Sequence, residues 1–158
     1  MKSSTIACLL VLASATADSS AETLSCPSLA TAVQVGSCPS EAELKYTFTG
    51  YCSDNQRMYE QSTSVCTDYQ AYRKLKNVAQ WESADGAFSA YVSCDLAAET
   101  IKAMPVARMA TSKQGKVSLL TCSYGEGVSF SYRSRQQCTV TGKGDCAGEP
   151  AACQASCD

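Results

Sequence analysis

Ten cysteines, Cys26, Cys38, Cys52, Cys66, Cys94, Cys122, Cys138, Cys146, Cys153 and Cys157, constrain this chain more than any other feature. An eleventh, Cys8, falls in an N-terminal stretch built like a secretory signal. Lys2 supplies the basic region, Ile6 to Ala13 the short apolar run, and Ala15-Thr16-Ala17 a small-x-small cleavage site. Residues 1–17 are therefore expected to be a signal peptide, with the mature chain opening at Asp18. Export places the remaining even set in an oxidising compartment, either outside the cell or, for a bacterium, in the periplasm. There the ten read as five disulfides. Each would contribute about 2–4 kcal/mol, largely by restricting the unfolded chain.

Spacing does not fix the pairing, since ten cysteines allow on the order of a thousand connectivities. A local Cys26–Cys38 bridge, joining the two Cys-Pro-Ser copies, is one of them. A rival reading makes Thr23-Leu24-Ser25-Cys26 a poor lipoprotein signal with a lipid on Cys26. That would strand an odd cysteine, so the even count favours five bridges.

The apolar run at Ile6–Ala13 is too short to span a bilayer, no other stretch approaches the required length, and the C-terminal end lacks a lipid-anchor tail. Removing the signal also removes Lys2, leaving twelve basic against fifteen acidic residues. A net charge so small and mixed argues against a nucleic-acid partner.

The strongest local pattern is KVSLLTCSY-GEG-VSFSYRSR, Lys116–Arg135. A three-residue loop would set Tyr124 opposite Val128, Cys122 opposite Phe130 and Leu120 opposite Tyr132, with Val117, Leu119 and Thr121 on the other face. A second hairpin turns at Asp85-Gly86, a dipeptide suited to positive φ. It pairs Ser83 with Phe88, Trp81 with Ala90 and Ala79 with Val92. These residues, with Cys94, form the best candidate core face; Gln80, Glu82 and Tyr91 lie opposite. Glu43–Cys52 alternates and reads as a strand with a bulge at Gly50. Arg57–Gln61 reads as a weaker strand, Leu29–Gly36 as a brief helix, and Ser64–Lys76 as a short helix. Ala97–Met104 is helical in composition and stops at Pro105, after which Pro105–Ser112 forms a strand turning at Gln114-Gly115.

The expected fold is mainly β with one or two short helices. It is an antiparallel meander, a sandwich or a small barrel-like sheet, stapled by disulfides. Residues 18–137 form this β-rich domain. Residues 138–158 form a cysteine-rich tail with almost no large apolar side chain, which bridges must fix to itself or to the sheet; without a bridge to the sheet it would be mobile.

The chemistry is bounded by what is missing. The chain has no histidine, which removes Ser-His-Asp and Cys-His catalysis and histidine zinc sites. Only Cys153 and Cys157 have a zinc-like spacing, no Cys-x-x-Cys redox motif occurs, and no calcium loop is present, so neither metal nor cofactor is expected. Carboxylate pairs such as Glu41/Glu43, Glu82/Asp85 and Asp95/Glu99, with Glu126, leave room for a glycosidase-type hydrolase. The leading expectation is instead a secreted non-enzymatic binding protein, such as an effector, an inhibitor or an adhesion module. It would recognise an extracellular protein or glycan through a Tyr/Arg-bearing sheet surface, with Tyr51, Tyr72, Arg73, Tyr91, Arg133 and Arg135 as candidate contacts. The blander reading of these groups places Tyr46, Tyr124 and Tyr132 in the core and leaves scattered Arg and Lys in solvent. Two alternatives stand beside the first. An exposed Trp81, Tyr91 or Tyr51 on a flat face would suit a carbohydrate-binding module, and a sheet closed round an apolar cavity would suit a small-ligand carrier.

Overall fold

The computed structural model describes residues 22–158, so the expected signal peptide lies outside the described residues. The chain is mainly β. Its ten strands are β1 (Glu22–Ser25), β2 (Val33–Gln34), β3 (Val78–Glu82), β4 (Ser89–Ser93), β5 (Val106–Gln114), β6 (Val117–Ser123), β7 (Ser129–Ser134), β8 (Cys138–Val140), β9 (Asp145–Gly148) and β10 (Gln154–Cys157). Four helices accompany them: α1 (Glu41–Cys52), α2 (Thr63–Thr67), α3 (Tyr69–Lys76) and α4 (Ala98–Lys102). The strands make two antiparallel sheets, one of seven in the order β2-β3-β4-β7-β6-β5-β9 and one of three in the order β1-β10-β8. Neither closes into a barrel.

Local turn chemistry builds the large sheet. In the β6–β7 hairpin the Tyr124 amide donates to the Val128 carbonyl at 2.9 Å, and Glu126 and Gly127 carry the positive φ that the three-residue loop demands. Leu120 faces Tyr132 and Cys122 faces Phe130, as expected. At the Asp85-Gly86 turn, the Phe88 amide donates to Ser83 Oγ and the Ala87 amide to Asp85 Oδ1. The resulting register pairs Trp81 with Ala90 and Ala79 with Val92. These two inner faces bury Trp81, Phe88, Val92, Leu120, Cys122 and Phe130 in one core. Ile101 from α4 and Ala155 from the small sheet complete it.

Five disulfides form: Cys26–Cys122, Cys38–Cys94, Cys52–Cys66, Cys138–Cys157 and Cys146–Cys153. The local Cys26–Cys38 pairing is therefore wrong. Each of those cysteines instead reaches a distant strand end, which ties the N-terminal segment across the sheet. The Cys26 sulfur is committed to Cys122 and is not a lipid attachment point. Beside that bridge, Tyr124 Oη donates to the Pro27 carbonyl at 2.5 Å.

Residues 41–52 are a helix, not a strand. Ser40-Glu41-Ala42-Glu43 is a capping box: Ser40 Oγ accepts from the Glu43 amide at 3.2 Å, and Glu43 Oε2 accepts from the Ser40 amide at 2.7 Å. That start signal overrides the short alternation of Leu44, Tyr46 and Phe48. The helix then turns Leu44 and Phe48, four residues apart, to its packed side, and leaves Tyr46 82% exposed instead of in the core. Arg57–Gln61 is a π-helical turn entered through Asp54, whose carboxylate accepts from the Gln56 amide, and so is not a strand either. Leu29–Gly36 divides into a 3-10 turn at Leu29–Thr31 and the edge strand β2.

Residues 138–158 carry no bridge to the rest of the chain, yet backbone ladders hold them. β9 adds to β5, and β10 lies between β1 and β8. The close approach at β5 requires a glycine. Gly144 has φ +70°, its carbonyl accepts from the Met109 amide, and a Cβ there would meet the Met109 carbonyl oxygen at 2.3 Å.

Candidate binding surface on the outer sheet face

Alternation along the strands decides the two faces of the large sheet. One face is the core; across the other a register row runs through six strands, with short hydroxyl side chains on its three central members, Thr121, Ser131 and Ser89. Ala110 pairs with Thr121, Thr121 with Ser131, Ser131 with Ser89, Ser89 with Glu82 and Glu82 with Val33. The flanking rows add Arg108, Ser123 and Ser129 on one side, with Leu119 paired to Arg133 on the other. The hydroxyls can each donate and accept, so this face offers a lattice of hydrogen-bonding groups.

Ser89↔Ser131 is the one register pair joining β4 to β7. Over that seam lies a cleft of about 420 Å³ lined by Gln80, Ser89, Ala90, Tyr91, Ser129, Ser131 and Arg133. Tyr91 is 75% exposed beside it. Gln80 Nε2 donates to Glu82 Oε1 at 3.0 Å, which orients the amide. Among the described residues the ion pairs belong to Arg73, so the Arg133 guanidinium has no carboxylate of its own. An aromatic ring, a free guanidinium and hydroxyls thus share the lining of one cleft.

The six candidate contacts fall in three places. Tyr91 and Arg133 line opposite ends of this cleft. Arg135 lines a neighbouring hollow with Lys113 and Lys116 at the β5–β6 turn. Tyr51, Tyr72 and Arg73 belong to the helical unit and take no part in the sheet face. Tyr72 is only 2% exposed, packed against Phe48 at 5.1 Å and Tyr51 at 5.7 Å. Arg73 is a structural clamp that reaches Glu41 at 3.3 Å and holds Asp95 through two bonds of 3.0 and 2.9 Å. The Arg73 hydrogen bonds hold the Asp95 carboxyl below its ordinary range, and the Tyr69 hydroxyl, followed by Arg73, does the same for Glu41. Tyr51 has Arg57 over its ring at 4.6 Å and lines a shallow hollow of about 620 Å³ with Lys76 and Leu44.

Several of the carboxylates weighed for hydrolysis have local partners. Asp85 accepts from Ser83 and Ala87, and the Ser83 hydrogen bond lowers its pKa, while Glu82 orients Gln80 and Glu126 occupies the hairpin tip. Trp81 is 3% exposed, so it cannot stack on a sugar. The Sγ atoms of Cys26, Cys146 and Cys153 lie within 4.8 Å of one another, but all three are in disulfides. Sequence reasoning missed Ser89, Ser129 and Ser131. Their signal was the alternation Ser129-Phe130-Ser131-Tyr132-Arg133, which puts both serines on Arg133's side of the strand.

Among the described residues no helix is long and apolar enough to cross a membrane. No family model, no curated protein and no solved structure matches this chain.

Proposed function

We propose that this is a secreted, non-enzymatic binding protein whose outer sheet face recognises an extracellular partner. The observation that carries the reading is a hydroxyl-lined cleft on the outer sheet face that has both Tyr91 and Arg133 in its lining. A tyrosine contributes contact area at little entropic cost, and an unpaired guanidinium supplies directional donors. Five disulfides on a chain with a signal-like N-terminus suit the oxidising space where such a partner would be met.

The test is to screen the mature protein against panels of extracellular proteins and glycans, then measure each hit again with Tyr91→Ala and Arg133→Ala. Tyr59→Ala is the control, since Tyr59 has the same 75% exposure in the helical unit. The reading expects about tenfold or greater loss of affinity from either cleft variant and no change from the control. Equal effects from all three would end it.

A further inference from the structure

The near-neutral charge of the chain conceals a strong segregation. Between Val106 and Lys143 stand six cations, Arg108, Lys113, Lys116, Arg133, Arg135 and Lys143, against the single acid Glu126, although Asp145, just beyond, lies opposite Arg108 and shares a hollow with Arg108 and Lys143. Most of this segment is the consecutive strands β5, β6 and β7, which are neighbours in the large sheet. None of the six cations is ion-paired among the described residues.

Three of them converge at the end of this ribbon. Lys113, Lys116 and Arg135 line a hollow of about 170 Å³ with Ser118, Gln136 and Gln137, and no carboxylate takes part. Lys113 Nζ donates to Gln137 Oε1 at 3.4 Å, so an amide side chain steadies one of the three ammonium and guanidinium groups. Like charges gathered without a counter-charge repel one another, and an incoming anion relieves that repulsion. Arg133 and Arg135 are two residues apart, roughly 7 Å along the backbone. The first lines the Tyr91 cleft and the second this hollow, a step that a linear oligosaccharide can span.

We propose that the hollow is an anion subsite that takes a sulfate ester of an extracellular glycan whose sugar rings lie in the adjoining Tyr91 cleft. The proposal rests on the outer face being the binding surface. A tetrahedral oxyanion can accept from two lysines and an arginine together, the fork geometry of arginine being suited to it. The neighbouring cleft is lined by hydroxyls, an amide and one tyrosine. It lacks the buried apolar anchor around which protein hot spots form and matches a hydroxyl-rich ligand instead.

The experiment titrates the full mature chain with a highly sulfated oligosaccharide, its chemically desulfated counterpart, a phosphopeptide and inorganic sulfate, at low and physiological salt. The sulfated ligand should bind at least about tenfold more tightly than the desulfated one and weaken as salt rises. Lys116→Ala/Arg135→Ala should remove that preference, whereas Lys45→Ala/Lys74→Ala, which deletes the same charge from the helical unit, should preserve it. Equal binding of both glycans, equal loss in the control pair, tighter binding of the phosphopeptide, or no binding of the sulfated ligand would each overturn the proposal. Loss in Lys116→Ala/Arg135→Ala with no effect from Tyr91→Ala would keep the subsite and overturn the outer-face reading. The opposite pattern, on whichever ligand binds, would keep the face and overturn the subsite.

Discussion

Ser89 of β4 lies directly opposite Ser131 of β7, and this pair is the seam where the two main hairpins become one sheet. Both hairpins are local structures, but the seam joins residues more than forty positions apart in sequence. The cleft lies over it, so the same junction shapes both the fold and the surface proposed to bind.

Ser131 is paired on both sides, with Thr121 of β6 and Ser89 of β4. Proline there removes a ladder donor in an interior strand. Ser131→Pro should therefore cost about 1–3 kcal/mol in a urea titration, the penalty of a buried backbone group left unpaired, whereas Ser112→Pro, near the end of β5 next to the turn, should cost less.

The disulfides should not be equivalent. Cys26–Cys122 closes a sequence separation of 96 residues and Cys52–Cys66 one of 14. On chain-entropy grounds the long loop contributes about 4.7 kcal/mol and the short one about 3 kcal/mol. Replacing Cys26 and Cys122 together by alanine should lower the denaturation midpoint more than replacing Cys52 and Cys66. Equal midpoints would contradict that order.

The hairpins and their core face were legible because turn residues and alternation are local signals that agree with each other. Asp85-Gly86 and Gly125-Glu126-Gly127 each set a register, and burial of Trp81 and Phe130 follows from it. The Glu43–Cys52 segment misleads because three alternating apolar residues compete with a capping box, and the box governs. Ser40→Ala should accordingly cost about 1 kcal/mol, read as lost helicity in α1. The binding face was legible only in part. Tyr91 and Arg133 stand out by residue type, but their place in one cleft depends on the β4–β7 seam, a non-local pairing that no spacing rule encodes. Arg73 drew attention by type as well, yet its partners Glu41 and Asp95 are distant in sequence and make it a clamp.

That clamp carries a pH dependence. Arg73 holds the Asp95 carboxyl below its ordinary value, and Tyr69 with Arg73 does so for Glu41. A depressed folded-state pKa contributes stability that is fully present above the unfolded-state value, near about 4 for carboxyls, and is lost as pH falls through the lower folded value. The helical unit should thus loosen on acidification below about pH 4, detected as sharpening amide signals from α1 and α3. Asp95→Asn should weaken the unit at neutral pH and flatten that dependence.

The most direct measurement is an amide chemical-shift titration of the isotopically labelled mature protein with the sulfated oligosaccharide. The account predicts perturbations at Tyr91, Ser129, Ser131, Arg133 and Arg135, with the α1–α3 signals unmoved. Shifts confined to Tyr51, Lys76 and their neighbours in the helical unit, with a silent outer sheet, would contradict it.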